Sequence, residues 1–192
     1  MDLRFVAVGT SLGGFNALET LFKGLPEDFP LPIGIVQHRS HEDSEALAPL
    51  LAIHSRLPVV EVEDKQQIRA GHLYVCPPNY HLLVDGDHFA LSTAEPVLFA
   101  RPSVDVFFES VADSFRARAV GVLLTGMSRD GAAGLKRIKE AGGYTVVQDP
   151  EAAEGNVMPE AALASVEVDK VLPLEDIAPL LSTLSADQGI KR

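Results

Sequence analysis

A chain of 192 residues, 46% hydrophobic and 22% charged, is long enough to bury most of its unfolded surface in one core, and a single globular domain is expected. The formal charge of -11 disfavours nonspecific nucleic-acid binding, which needs lysine and arginine to displace counterions, and obliges any acidic partner to meet a locally neutral or basic face. No segment approaches the roughly 20 uninterrupted apolar residues of a membrane span, and Met1-Asp2-Leu3-Arg4 leads straight into strand-like sequence without a cationic segment and cleavage site; a soluble, cytoplasmic protein without direct membrane insertion is expected.

Short β-branched runs alternate with helical segments, as in parallel strands linked by crossover helices. Arg4 to Val8 reads as the first strand, and Phe15, Leu18, Leu21 and Phe22 mark a helix that stops at Gly24 before Pro26. Ile33 to Val36 is a second, wholly apolar strand, followed by a helix from Ser44 to His54. Short strands follow at Val59 to Val62, His72 to Val75, His81 to Val84 and His88 to Leu91, the last two joined around Asp85-Gly86-Asp87, a hairpin turn. Cys76 closes one of these runs and, as the single cysteine, forms no internal disulfide; a packing role is expected for it. The helix-strand rhythm then returns: a helix from Val104 to Phe115, a strand from Val120 to Leu124, a helix from Ala132 to Ala141 and a strand from Tyr144 to Val147. A short helix at Glu160 to Leu163, a strand at Lys170 to Leu172 and a helix from Leu174 to Leu184 complete the domain, residues 1–185, ahead of a polar tail, residues 186–192. The fold class is α/β: a three-layer, doubly wound, mostly parallel sheet with an antiparallel hairpin.

Three strand ends carry side chains with chemistry. Gly9-Thr10-Ser11-Leu12-Gly13-Gly14 lies where the first strand turns into the first helix and fits Gly-x-Ser-x-Gly, which exposes a serine hydroxyl beside helix-start amides able to stabilise an oxyanion. Such turns also cap helices and bind phosphate. A dinucleotide fingerprint, however, needs glycine in place of Ser11, and a P-loop needs Gly-Lys-Ser or Gly-Lys-Thr at its end. His38 directly follows the second strand, at the carboxyl edge where open α/β sheets hold their sites; an imidazole there can take the serine proton and return it to a leaving group. The alternative is a surface loop histidine. Asp130, in the glycine-rich turn after the Val120 to Leu124 strand, is placed to orient that histidine, or else to serve as a helix N-cap. His41, His54, His72, His81 and His88 have weaker claims, and none shows metal-ligand spacing with Cys76 or with paired carboxylates. The order Ser, His, Asp, with the serine after the first strand, differs from the α/β-hydrolase order of Ser, acid, His.

Four motifs in order, Gly9-Thr10-Ser11-Leu12-Gly13-Gly14, Gln37-His38, Arg101-Pro102-Ser103-Val104-Asp105 and Thr125-Gly126-Met127 through Asp130-Gly131-Ala132-Ala133-Gly134, resemble the catalytic domain of the chemotaxis protein-glutamate methylesterases over nearly the whole chain. The resemblance implies a catalytic triad of Ser11, His38 and Asp130, no metal or organic cofactor, and hydrolysis of glutamyl γ-methyl esters, with deamidation of certain glutamines, on the methylated cytoplasmic helices of chemoreceptors. Arg101 stands either on the substrate-facing rim or in a solvated loop, and the Met127 backbone lies near the site. Leu12 departs from the small or hydroxyl residue that many members carry after the nucleophile. Members usually also carry a phosphoryl-accepting receiver domain; these 192 residues are expected to contain none, and a separate regulatory protein is one candidate partner beside the receptor. Two alternatives stand beside this reading: a hydrolase with the same triad acting on another protein ester or amide in a different sensory pathway, and a non-catalytic docking module.

Overall fold

The structure, a computed structural model, describes residues 2–39 and 47–186. In chain order the elements are β1 (Phe5–Thr10), α1 (Gly14–Gly24), β2 (Ile33–Gln37), α2 (Leu47–Ala52), β3 (Val59–Glu61), β4 (Leu73–Val75), β5 (His81–Asp85), β6 (His88–Ser92), α3 (Val104–Phe115), β7 (Ala119–Leu123), α4 (Ala132–Glu140), β8 (Tyr144–Gln148), α5 (Val157–Ser165), β9 (Lys170–Leu172) and α6 (Leu174–Ala186). Seven strands form one sheet in the order β3-β4-β2-β1-β7-β8-β9, and all of its pairings are parallel. Strands β5 and β6 form a separate antiparallel pair.

Side chains alternate between the two faces of the sheet because the strand period is two. Val6, Val8, Ile33, Ile35, Val120 and Val122 pack against Leu18 and Phe22 of α1, Leu51 of α2 and Ile177 and Leu181 of α6. Phe5, Ala7, Val36, Tyr74 and Val147 face the other way, against Phe107 and Phe108 of α3, Leu135 and Ile138 of α4, Met158 of α5 and Leu82 and Phe89 of the hairpin. Both faces are covered, which is why the central strands read as continuous apolar runs.

Strand β1 lies between β2 and β7, so the chain first winds outward through β2 and later returns to the opposite side of β1. An order that reverses in this way opens a crevice beyond the carboxyl ends of the strands at the point of reversal.

Several elements differ from their sequence expectations. Strand β1 continues to Thr10 because Thr10 pairs with Gln37 and its Oγ1 donates to Thr125 O (2.8 Å). Helix α5 spans Val157–Ser165, well beyond the expected Glu160 to Leu163, since Pro159 sits in its first turn, where no intrahelical N–H partner is required. The hairpin turn is Gly86-Asp87, Asp85 pairing directly with His88, and of its two residues Gly86 alone takes a positive φ (62°). The expected start of the second helix at Ser44, and His41, lie outside the described residues, as does the tail beyond Ala186. Among the described residues no helix is long and apolar enough to cross a membrane. Cys76 is buried, and desolvation, with the nearby Glu61 charge, pushes its thiol well above the ordinary range, so it packs as an inert group.

Helices α3 and α4 approach closely at Gly134, where a Cβ would stand 2.6 Å from Phe108 Cβ and 2.9 Å from Asp105 O. An unhindered helical glycine gains about 0.5–1 kcal/mol on replacement by alanine. Gly134→Ala is expected instead to destabilise the domain by about 1–3 kcal/mol, read as a lower urea midpoint at unchanged slope.

Candidate active site

Ser11 and His38 follow directly on the neighbouring strands β1 and β2, and backbone bonds across the strand ends hold them there: His38 N–H donates to Thr10 O (3.0 Å) and Ser11 N–H to Thr125 O (2.9 Å). The turn into α1 takes its left-handed residue at Gly13 (φ 73°), and Ser11 is not among the residues of positive φ. The strained serine of an α/β-hydrolase elbow is therefore not the device used here. The Ser11 Cβ packs over Gly126, where any Cβ would come within 2.8 Å of both Ser11 Cβ and Met158 Sδ. Close approach, with Gly126 N–H donating to Gly155 O (2.8 Å), thus sets the β7 loop against the serine.

Thr125 ties this floor together. Its Oγ1 accepts from Gly155 N–H (2.7 Å) and lies 2.9 Å from Leu12 O, while its own N–H donates to Gln148 Oε1 (2.8 Å). Its carbonyl is already taken by Thr10 Oγ1 and Ser11 N–H. The N–H groups of Leu12 and Met127, in contrast, donate to no described residue. The side chains of Leu12, which follows Ser11, and Met127, which follows Gly126, are about half exposed and supply apolar surface near the serine turn.

Asp130 is wholly buried, and all of its carboxylate acceptor capacity is used. Oδ1 accepts from Ser103 Oγ (2.8 Å) and Asp105 N–H (2.9 Å), and Oδ2 from Val104 N–H (2.7 Å) and His38 Nε2 (2.6 Å). Burial pushes this carboxyl upward, but the bonds from His38 and from the amides of Asp105 and Val104 outweigh burial and hold it below its ordinary value. The two readings of Asp130 thus merge with an altered partner: it orients His38 and caps a helix, but the helix is α3 rather than the one it precedes, whose N-cap is Gly131. Ser103 caps the same turn, accepting from Val106 N–H (3.4 Å). His81, 1% exposed, accepts the Ser103 N–H at Nδ1 (3.2 Å) and donates from Nε2 to Glu95 O (3.1 Å).

Ser103 and His81 support Asp130 through bonds that spacing does not reveal. A serine before a helical run signals an N-cap, but nothing local says that the same hydroxyl reaches residue 130. Arg101 is spent on the loop that precedes α3: Nη1 donates to Thr93 O and Ala94 O (both 3.1 Å). No group of three or more His, Cys, Asp or Glu side chains with metal-binding geometry occurs among the described residues.

An open, doubly wound α/β domain that delivers a serine and a histidine from adjacent strand ends and a buried aspartate onto that histidine has the parts of a serine hydrolase. The chain belongs to the CheB methylesterase family, whose model matches residues 6–181. A relative from Leptospira interrogans is 44% identical over 185 residues, spanning 96% of each chain. The protein-glutamate methylesterase/protein-glutamine glutaminase 2 of Anaeromyxobacter dehalogenans is 44% identical over 183 residues; these are 95% of this chain but 54% of that relative. The crystal structure of the Thermotoga maritima CheB methylesterase catalytic domain superposes with a TM-score of 0.91 at 31% identity, covering 96% of this chain and 100% of that one.

A carboxyl held below its unfolded value stabilises the fold above about pH 4 and loses that contribution as pH falls through the folded value. The unfolding free energy of the wild type should therefore exceed that of Asp130→Asn at about pH 7, and the gap should narrow as the pH falls below about 4. Ser103→Ala, which removes one donor from the buried carboxylate and one helix cap, is expected to cost about 1.5–3 kcal/mol in urea unfolding near neutral pH.

Proposed function

We propose that this chain is a serine hydrolase that removes the methyl group from glutamyl γ-methyl esters on the cytoplasmic helices of chemoreceptors and also deamidates receptor glutamines. The observation that carries the reading is the 2.6 Å bond from His38 Nε2 to the buried Asp130 Oδ2, with Ser11 on the adjacent strand end. That bond engages one ring nitrogen and leaves Nδ1 to act as base.

Ser11 Oγ attacks the γ-carbonyl carbon while His38 Nδ1 takes its proton; Asp130 stabilises the imidazolium that forms. The negative charge on the carbonyl oxygen is met by the unengaged N–H groups of Leu12 and Met127, since the Ser11 N–H is committed to Thr125 O. Collapse of the tetrahedral intermediate breaks the bond to the methoxy group, which leaves as methanol with the proton from His38. Water, deprotonated by the same nitrogen, then hydrolyses the acyl-enzyme and restores a carboxylate. A glutamine substrate follows the same course with ammonia as leaving group. The new negative charge on the receptor helix is the signal.

The apolar rim of Leu12 and Met127 suits a substrate presented on a protein surface, and Arg129, exposed and in no ion pair with a described residue, gives an otherwise acidic protein a local cation beside Asp130. Leu12 supplies no hydroxyl, so its contribution is made by its amide.

The test is methanol release from a methyl-labelled cytoplasmic fragment of a chemoreceptor. Ser11→Ala is expected to reduce release on the order of 10³-fold or more. If a fluorophosphonate labels Ser11 but no methanol appears, the enzyme acts on a different protein ester or amide. If neither occurs and the fragment still binds, the domain is a docking module.

A further inference from the structure

A second buried carboxylate stands directly behind Asp130 and takes no part in the steps above. Asp105, 8% exposed, lies in the first turn of α3, and its N–H donates to Asp130 Oδ1 (2.9 Å). Its own Oδ1 accepts from Gly131 N–H (2.8 Å) and Gly134 N–H (2.7 Å), the first turn of α4. The starts of the two helices therefore exchange acids: the one preceding α4 seats on α3, and the one within α3 seats on α4. Asp130 is held from both sides, its side chain by α3 and the peptide that follows it by Asp105.

The charge on Asp105 is not needed for this seating alone. A neutral amide oxygen could accept from both glycine N–H groups. Burial, reinforced by the Asp130 charge, pushes the Asp105 carboxyl up to about 6 against the pull of the two glycine amides, so its ionised form burdens the fold near neutral pH. The groups that face it are Asp130, with His38 beyond; Arg129 from the turn before α4, Lys136 from α4 and Glu160 from α5, which line the groove onto which Asp105 opens; and His81 from β5 through Ser103. A carboxylate retained at a cost to stability, immediately behind the group that holds the base, has a use in the reaction.

We propose that Asp105 is a positioning residue for the hydrolysis: its carboxylate fixes the Gly131 to Gly134 turn, and with it the Asp130 oxygen that orients His38, and its negative charge adds to the field that stabilises the protonated imidazole. The inference rests on the Ser11, His38 and Asp130 reading and names the element that keeps its geometry.

The experiment compares wild type, Asp105→Asn and Asp105→Ala, reading the rate of fluorophosphonate labelling of Ser11, kcat and KM for methanol release, and the melting temperature from about pH 5 to 8. Asp105→Ala is expected to lower kcat and the labelling rate about 10- to 100-fold, with KM unchanged within about threefold. Asp105→Asn, which keeps the acceptor for both glycines, should recover at least about half of that loss on a logarithmic scale. It should also melt above the wild type at about pH 7.5, because a carboxyl raised in the fold contributes least there, and lose that advantage toward about pH 4.5. The ratio of wild-type to Asp105→Asn kcat should rise from near one at about pH 5 to a plateau above about pH 7, following ionisation of Asp105. A folded Asp105→Ala variant at wild-type rates, an effect confined to KM, or a flat ratio across the pH range overturns the proposal. Should Asp105→Ala not fold, the pH course of the Asp105→Asn ratio decides alone. Wild type whose Ser11 is not labelled overturns the triad and the role of Asp105 together, whereas labelling without methanol release removes only the receptor substrate and leaves the labelling comparison decisive.

Discussion

Two carboxylates, Asp105 and Asp130, each sit on the amides of the other's helix start, and the site depends on that exchange. An ionised group in the interior is tolerated only where hydrogen bonds replace its water, and Asp130 has four such bonds. Three of them come from the first turn of α3 and its cap, amides and a hydroxyl that need an acceptor in any case. The fourth is to His38. Satisfying the helix and orienting the histidine are thus one structural event, and the partially positive start of α3 favours the charge on which both rely. Asp105 repeats the arrangement at the start of α4, and the glycine contact at Gly134 allows the two helices to come close enough for it.

The serine and the histidine are positioned by different means. Their backbones continue two adjacent parallel strands, so their separation is governed by sheet register, Thr10 opposite Gln37, rather than by loop conformation. The sheet edge is then fastened to the β7 loop through Thr10, Thr125, Gln148 and Gly155. Two rigid systems meet at His38: a sheet that carries Ser11 and His38, and a helix pair that carries Asp130. A displacement of either would part the histidine from one of its neighbours, and for this reason the supporting residues lie as deep as Thr10, Ser103 and His81, all at most 1% exposed.

Charge is distributed along the same division. The domain is strongly acidic as a whole; Asp105 and Asp130 are buried, Leu12 and Met127 are exposed apolar side chains, Arg129 is an exposed cation, and the exposed Glu154 lies over Gly13, two residues from Ser11. Burial of Asp105 and Asp130 leaves their effect on the imidazole strong, because the interior screens poorly.

The alternation of apolar strands with amphipathic helices by itself determined the α/β class and the parallel sheet, since a strand covered on both faces must read as a continuous apolar run, as Ile33 to Val36 does. Glycine-rich turns after two strands likewise marked Ser11 and Asp130, and position directly after the second apolar strand marked His38, because open α/β sheets hold their sites at the carboxyl edge. What could not be read there is the rest of Asp130's partners beyond His38, and any partner of Asp105. Asp130 looks like the cap of its own helix, and Ser103, His81 and Asp105 look like residues of a loop, a hairpin and a helix, for local spacing carries no information about contacts between residues 22 to 29 positions apart. Only the packing of α3 on α4 and on the end of β1 brought those groups together, and hydrogen bonding across that packed interface, a property of the folded chain alone, decided which acid holds the histidine and which holds the acid.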